Sequence, residues 1–530
     1  MDNSNENRRM ISARPMVSAT ADLARLRAPG RGLYGSGGVL FKDAIFGRDS
    51  AIAAEDLLLL HPEVSQEAIL TLASLQGVRE APIGLHSNEE EPGKIHHEHR
   101  SLYVGSRRIS ATSEVLLREL ASRWGGDVAS LTYYGSVDTT PLYVRLVVDW
   151  CKAHGDALLA LRFTRRDGRT ATVRDSLVAA VDWMTKNMDR SDLGLVEFCR
   201  RNPDGIPFQV WKDSGTSYVH TDGTLANWEA PIAPVEVQAY AYDALLGAGE
   251  LLDQADWRER AVGLRERTLK DLWMTDQAYF AMGMDRRANG RPRRIESLAS
   301  NGALALDTRL FDGLPDASDY VAPLVRQICG PDFVTAVGIR CRAKSQAGLV
   351  GFQDYHGAWT VWPKETFAAV RGLERQGLPR LAHQLGNRLL NAVNLARGNV
   401  EFLYVSLDGL VMYDFQERDV RTAETVSIVG TNQPESPAAW TVSAAVALKA
   451  WYGQGMSLHV HAPPTDAWRR QLEAAAIAAM RDVAAFGTRA EIDHAYATRG
   501  DFILDIEKGR AMDRRARSTH RGTELEAVES

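Results

Sequence analysis

The residue best placed to do chemistry is Asp213, which follows a tryptophan and a lysine in the segment QVWKDSG at residues 209–215. An indole beside a carboxyl group removes part of its water, and this desolvation raises the carboxyl pKa. A carboxylic acid that stays protonated near neutral pH can act as a general acid. The charge of Lys212 would lower the same pKa if it points at Asp213, and the sequence leaves its direction open. We predict Asp213 as an acid catalyst, with Trp211 and Lys212 among the groups that contact its substrate.

Two further motifs carry charged residues in patterns that suit polyhydroxylated ligands. In FGRDS, Arg48 and Asp49 each offer two hydrogen-bonding groups that fit vicinal hydroxyls, although Asp49 or Ser50 could instead cap a helix. In EPGKIHHEHR, the histidines and acids suggest a zinc site, but their spacing differs from HExxH. We therefore expect Glu98 and Arg100 of that segment to hold substrate hydroxyls rather than a metal.

Two motifs lie at predicted helix starts, where a polar residue can be either a cap or a ligand. In YYGSVDTTP, Tyr134 is an aromatic candidate, and Asp138 either binds substrate or caps the helix that Pro141 begins. In PVEVQAY, Glu236 and Gln238 open an otherwise apolar helix, so they are end caps or substrate ligands.

Aromatic residues are a third source of candidates, since several of the 12 Trp and 15 Tyr stand beside acids or turn residues. Flat aromatic faces stack on the C–H faces of sugars, although most tryptophans belong to protein cores. The candidates in YHGAWTVWP and SPAAW are Tyr355, His356, Trp359, Trp362 and Trp440. The segment that leads to SPAAW also supplies a second carboxylate, at Glu424 or Glu435.

Helical periodicity dominates the elements that must position these residues, with apolar residues three and four positions apart. The first helix of each pair is the more apolar, as expected of a helix buried on all sides, whereas the second is amphipathic. About six such pairs predict an all-α fold, an (α/α)6 toroid with an inner and an outer ring, with only short hairpins such as residues 400–407. The predicted helices span residues 50–60, 63–76, 141–154, 173–188, 234–252, 257–273, 298–307, 318–328, 360–376, 379–397, 436–452 and 466–486.

Long polar, glycine-rich loops separate the helix pairs, and long loops in a compact domain usually carry function. Because these loops hold the tryptophans, histidines and paired acids, we predict that they form one active-site face. They span residues 77–108, 125–140, 189–233, 338–359 and 399–437. We divide the chain into a polar N-terminal extension (1–36), a catalytic domain (37–490) and a charged tail (491–530), of which residues 508–530 are too polar to pack stably.

Composition narrows the functional classes. The net charge is −6 with a pI of about 6.1, and the basic residues are dispersed, which argues against nucleic acid or an anionic membrane surface as a partner. The four cysteines fit neither a zinc site nor a disulfide framework. The polar N-terminus does not resemble a signal peptide, and no apolar run approaches the ~18 residues of a membrane span. We expect a cytoplasmic protein with no metal or cofactor, while its oligomeric state stays open.

The order of the motifs resembles that of the amylo-α-1,6-glucosidase (glycogen-debranching) group, over residues 37–452. That group is similar to glucoamylases and to the processing-glucosidase and mannosylglycerate-hydrolase families. The motifs are FGRDS, EPGKIHHEHR, YYGSVDTTPL, WKDSG, PVEVQAYAYDAL, YHGAWTVWP and SPAAW. The resemblance implies an (α/α)6 barrel and inverting hydrolysis of an α-linked sugar, a reaction that uses two carboxyl groups about 6.5–9.5 Å apart.

The resemblance also implies roles for individual residues. It puts the general acid at Asp213 and makes Arg48 and Asp49 ligands of the sugar on the near side of the scissile bond. The general base of the group is a Glu in the loop before the last inner helix. Glu424 is our choice for that base, and Glu435 is the alternative.

One departure from the group concerns the substrate. Debranching enzymes usually carry a β-rich domain ahead of the barrel, whereas FGRDS begins here at Phe46. We therefore expect an α-glucosidic bond in a small oligosaccharide or glycoside rather than glycogen. The alternatives are another carbohydrate enzyme on the same fold, namely a phosphorylase, a lyase or an epimerase, or a carbohydrate-binding protein without catalysis.

Overall fold

The computed structural model describes residues 18–38, 40–351, 354–396, 398–405, 407, 409, 434–461, 463–481 and 483. Within these residues the fold is mostly helical, with short two- and three-stranded sheets between the helices, and the predicted class is confirmed to that extent. The helices are α1 (Ala19–Leu26), α2 (Gly47–Leu57), α3 (Pro62–Ser74), α4 (Ala111–Trp124), α5 (Thr139–His154), α6 (Val173–Arg190), α7 (Val235–Leu251), α8 (Ala255–Leu272), α9 (Asn301–Leu304), α10 (Ala317–Ile328), α11 (Pro363–Arg375), α12 (Pro379–Leu395), α13 (Ala439–Gln454) and α14 (Ala467–Arg481).

Six of the described helices contact one another in a closed cycle, in the order α2, α5, α7, α9, α11, α13 and back to α2. A second helix packs on the outside of most of them: α3 on α2, α6 on α5, α8 on α7, α10 on α9 and α12 on α11. Composition explains the two positions. Helix α7 is buried along nearly all of its length and is rich in apolar residues, whereas α8 buries one face and carries charged residues on the other.

Two helices begin at residues other than those that the sequence predicts. Helix α2 begins at Gly47, so Asp49 lies in its first turn, and Phe46 at the cap position makes no side-chain cap bond. Helix α11 begins at Pro363, which suits a first turn, because Thr360 and Val361 pair with a strand instead. Helix α4 was not predicted.

Short strands occupy the loops as predicted, but the strand within 400–407 pairs with Thr360 and Val361 and not within a local hairpin. They are β1 (Arg27–Ala28), β2 (Gly32–Leu33), β3 (Ala44–Phe46), β4 (Glu98–Ser101), β5 (Tyr103–Val104), β6 (Arg107–Arg108), β7 (Ser130–Tyr133), β8 (Arg162–Thr164), β9 (Thr170–Thr172), β10 (Ala233–Pro234), β11 (Trp273–Met274), β12 (Tyr279–Phe280), β13 (Gly283–Arg286), β14 (Pro292–Ile295), β15 (Val334–Thr335), β16 (Gly338–Ile339), β17 (Thr360–Val361) and β18 (Leu403–Tyr404). Strand β4 pairs antiparallel with both β3 and β7, and its register puts Glu98 opposite Phe46. This sheet joins two of the chemical motifs at the start of α2.

The described part of the N-terminal extension is ordered against the domain. Helix α1 contacts α13, and Ser36 forms an isolated bridge with Ala438. None of the helices in the described ranges is long and apolar enough to cross a membrane. The predicted tail at 491–530 lies outside the described residues.

Candidate active site

Four of the five predicted loops, all but 125–140, contribute residues to one cavity of about 440 Å³, a size typical of small-molecule sites. Ten of the residues singled out in the sequence line it: Arg48, Asp49, Glu98, Arg100, Trp211, Asp213, Tyr355, His356, Trp362 and Trp440. They come from four separate motifs and from the start of α13, so the fold brings together groups that are almost 400 residues apart in the chain.

Asp213 faces this cavity, and its environment favours the protonated form. Burial raises the pKa of Asp213 to about 6, against the opposing charge of Arg48. The Tyr355 hydroxyl donates a hydrogen bond to Asp213 Oδ1 at 3.2 Å, which also opposes the rise in the pKa but does not cancel it. The carboxyl can therefore hold a proton near neutral pH, as a general acid requires.

The neighbouring Lys212 points away from Asp213, which answers the question that the sequence left open. Its ammonium group is fully buried, forms an ion pair with Glu365, and donates to Ser300 Oγ at 3.0 Å. Burial raises the pKa of Glu365, but the charge of Lys212 holds it below its usual value. Lys212 thus anchors the loop through Glu365 and Ser300, and its charge is not directed at Asp213.

Trp211 is held in place by Glu365, the buried carboxylate that also pairs with Lys212. Its indole Nε1 donates to Glu365 Oε1 at 2.7 Å, and the Lys364 ammonium lies 3.4 Å from the ring centre, in cation–π contact. The ring contacts Trp362 edge-on, with centroids 4.8 Å apart, and Trp440 at 5.4 Å. Trp211, Trp362 and Trp440 therefore form a fixed aromatic wall, and Trp211 lies two positions before the acid in the chain.

Arg48 and Asp138 form a buried bidentate pair. Arg48 Nε donates to Asp138 Oδ2 at 2.6 Å and Arg48 Nη2 donates to Oδ1 at 3.1 Å. Asp138 occupies the cap position of α5 but makes no side-chain cap bond, so its carboxylate serves to orient Arg48. Beside them, burial raises the pKa of Asp49 to about 7, although Arg48 opposes it.

Glu98 and Arg100 lie two apart on β4, which puts both side chains on the same face of the strand. They form an ion pair with each other, and Arg100 Nη2 donates to the Leu40 carbonyl at 2.6 Å. The histidines of the same motif are neutral supports, since burial lowers the pKa of His97 and of His99 to about 3.

Other predicted residues lie behind the described wall of the cavity. The Tyr134 hydroxyl donates to the Leu75 carbonyl at 2.7 Å, and Trp359 is fully buried in the core. Gln238 bonds both backbone groups of Val196. Glu236 accepts from Asn301 Nδ2 at 2.9 Å. Along with Lys212 and Asp138, these residues support the lining, and a direct role in binding stays a prediction.

The general base is where the sequence assignment is least complete. Glu424 lies outside the described residues. Glu435 is buried, and its carboxylate accepts from Ser36 Oγ at 2.7 Å and from the Leu40 backbone N–H at 3.1 Å, so it ties Ser36 and Leu40 to the segment that precedes α13.

A carboxyl that we did not select, Glu401, lines the cavity with Asp213. Burial raises the pKa of Glu401 to about 8, and the nearby charges of Asp49 and Asp213 contribute to the rise. Its Oε2 accepts from the Glu435 backbone N–H at 3.0 Å. A signal existed in the sequence, because Glu401 stands beside Phe402 as Asp213 stands near Trp211, but the segment was interpreted only as a hairpin.

Comparison with known proteins supports the fold. No protein-family model matches the chain, and no curated protein matches it. Among solved structures, the GH63 mannosylglycerate hydrolase from Thermus thermophilus in complex with glucose is similar, with a TM-score of 0.53 and 16% identity over 81% of this chain and 98% of that chain. An uncharacterized conserved protein from the same organism has a TM-score of 0.52 and 14% identity at the same coverage. The expected likeness to mannosylglycerate hydrolases is thus confirmed for the fold.

Proposed function

We propose that this protein is an inverting glycoside hydrolase that cleaves an α-linked bond, α-glucosidic in our first choice, in a small oligosaccharide or glycoside. The observation that carries the proposal is the pair of carboxyls, Asp213 and Glu401, that line one cavity with an aromatic wall. The order of the debranching-like motifs and the fold likeness agree with it. The closed cycle of six helix contacts supports an (α/α)6 toroid, and the cytoplasm remains the expected location.

Each carboxyl has a separate role in the proposed mechanism. Asp213 protonates the departing glycosidic oxygen, and Glu401 removes a proton from the water that attacks the anomeric carbon. Arg48 and Asp49 hold sugar hydroxyls in the buried part of the cavity. We prefer Glu401 to Glu435 because the Glu435 carboxylate is engaged by Ser36 and Leu40, and Glu424 remains the competing choice.

The activity should depend on pH as a bell-shaped curve, because the raised pKa values are about 6 for Asp213 and about 8 for Glu401. Between these values the pair holds one proton, which is the state that acid–base hydrolysis needs. Below pH 6 both carboxyls are protonated and the base is lost, and above pH 8 both are ionised and the acid is lost. Because the two carboxyls interact, the two pKa values describe the titration of the pair as a whole. We expect kcat/KM to decrease below about pH 6 and above about pH 8. A rate that keeps rising from pH 8 to pH 10 would contradict this.

The free site places the higher pKa on Glu401, so its single proton lies mainly there. The proposed roles require that proton on Asp213 once substrate is bound. The reverse assignment, with Glu401 as acid, predicts different effects of D213N and E401Q on a substrate with an activated leaving group, so these two variants separate the assignments.

The deciding experiment is a screen of α-linked disaccharides and alkyl α-glycosides in which NMR follows the anomer of the first product. We expect the β-anomer to appear first and then to mutarotate. An α-anomer first would exclude inversion. Turnover that depends on phosphate would indicate a phosphorylase, an unchanged chain length an epimerase, and binding without any product a carbohydrate-binding protein.

A further inference from the structure

We infer that the leaving group of the substrate is an apolar alkyl or aryl aglycone rather than a second sugar. This inference rests on the proposed function and specifies its substrate class. It comes from the part of the cavity that the catalytic pair does not occupy, which helix α4 and the neighbouring loops line. We call this surface the aglycone wall and define it by Leu40, Phe41, Leu116, Leu120, Ile206 and Pro207.

Helix α4 supplies two residues of the aglycone wall by its spacing. Leu116 and Leu120 are four positions apart and so share one face of the helix, and both line the cavity. Leu117, Ala121 and Trp124 lie beside them on the same broad apolar face and pack into a small core with Leu131 and Tyr133, against which Leu120 also packs. One edge of this face, with Leu116 and Leu120, lines the cavity.

Loop anchoring fixes the opposite part of this wall. The Ile206 backbone N–H donates to the Tyr133 hydroxyl at 3.0 Å. Gly205 lies so close to Glu89 and Tyr133 that a Cβ at this position would come within 2.6 Å of the Glu89 carboxylate. Because the loop cannot easily shift, Ile206 and Pro207 are held at the cavity surface.

Ring contacts connect the aglycone wall with the catalytic end. Phe41 contacts Phe46 edge-on at 5.0 Å, Phe46 contacts His97 at 5.8 Å, and His97 contacts Tyr133 at 6.0 Å. Tyr133 in turn stacks on Trp124 of α4 at 4.3 Å. Since Phe46 immediately precedes the start of α2, this row of rings leads from the sugar-binding residues to α4.

Burial orients the substrate along this row. Arg48 and Asp49 are buried, with 4% and 6% of their surfaces exposed, whereas Leu40 is 49% exposed. The polar, buried end therefore suits the sugar ring and the more exposed end suits the group that leaves. Two polar residues, Arg123 and Asp204, are exposed at this end, where Arg123 Nη2 donates to the Asp204 carbonyl at 3.4 Å and Trp124 Nε1 donates to the same oxygen at 3.1 Å.

A sugar leaving group would need hydrogen-bonding partners for its hydroxyls, and hydroxyls left without them when buried cost binding energy. An alkyl chain instead gains roughly fourfold in affinity for each methylene that it buries. The described residues of the aglycone wall therefore favour the alkyl chain.

The test compares hexyl α-D-glucoside, methyl α-D-glucoside and maltose. For the wild-type protein we expect kcat/KM for the hexyl glucoside to exceed that of the other two by about tenfold or more. The double variant L116Q/L120Q should reduce the hexyl-to-methyl ratio by about tenfold. Glutamine favours helix, and V115Q provides the matched control, because Val115 is on the same helix but 65% exposed. In V115Q the ratio should not change.

A binding measurement keeps this inference separate from the proposed function. Titration of the hexyl and methyl glucosides into the D213N variant needs no turnover. Tight hexyl binding that L116Q/L120Q weakens, without hydrolysis of any glucoside by the wild type, would support the aglycone wall and refute the proposed reaction. Equal binding of both glucosides, or a higher kcat/KM for maltose than for hexyl glucoside, would overturn the aglycone wall and leave the hydrolase intact.

Discussion

Replacing Asp213 by Asn is expected to lower kcat for an alkyl α-glucoside by about three to four orders of magnitude, the upper range for loss of a general acid. An alkoxide leaves poorly without a proton, and an amide cannot supply one. The leaving group of α-D-glucosyl fluoride is fluoride ion, which needs little protonation to depart. The same variant should therefore hydrolyse the fluoride within about tenfold of the wild-type rate. Steady-state kinetics with both substrates measure the difference.

The control for this variant is D253N, because the Asp253 side chain is 95% exposed and the substitution makes the same chemical change away from the cavity. It should leave both rates unchanged. Near-wild-type hydrolysis of the alkyl glucoside by D213N would show that the acid lies elsewhere. Loss of fluoride hydrolysis in D213N, together with its retention in E401Q, would show that the two carboxyls have the opposite roles.

The motifs at the acid end of the candidate site can be recognised in the sequence because they are local. The side chains of Trp211 and Asp213 lie on one loop, and those of Arg48 and Asp49 open one helix, so spacing alone places each pair. The helix pairs could also be predicted from the sequence, because a buried helix and an amphipathic helix differ visibly in composition.

The remaining features depend on contacts between distant segments. The direction of Lys212 is set by Glu365, which lies more than 150 positions further along the chain. Asp138 could be interpreted as a helix cap until Arg48 was placed beside it. Helix α4 carries arginines and glutamates beside its apolar face, which weakens its periodicity. The partners of that face, in the small core and around the cavity, come from other segments of the chain.

Glu401 was missed for a related reason. Its two chain neighbours, Val400 and Phe402, are buried, and the alternation of apolar and polar residues there is typical of a strand. The structure confines the strand to Leu403–Tyr404 and leaves Glu401 at the cavity. What makes this carboxyl a candidate is its position opposite other acids, which no local pattern reports.

Replacing Glu401 by Gln is expected to lower kcat by about three to four orders of magnitude for hexyl α-glucoside and for α-D-glucosyl fluoride alike. Both substrates require an activated water, so an easy leaving group cannot compensate for the missing base. The Oε2 contact with the Glu435 backbone N–H at 3.0 Å can be kept by the amide oxygen of glutamine, so the fold should tolerate the change. Thermal unfolding of the variant checks this.

The two other acids provide the comparison that decides the assignment. E435Q should weaken the bonds that Ser36 and Leu40 make to the segment before α13, since Glu435 accepts from both. It should therefore lower thermal stability more than it lowers fluoride hydrolysis. E424Q should leave fluoride hydrolysis near the wild-type rate if Glu401 is the base. The opposite pattern, with E424Q inactive on the fluoride and E401Q active, would transfer the role to Glu424. Because the fluoride removes the need for an acid, its hydrolysis reports on the base alone, and these three variants identify which carboxyl activates the water.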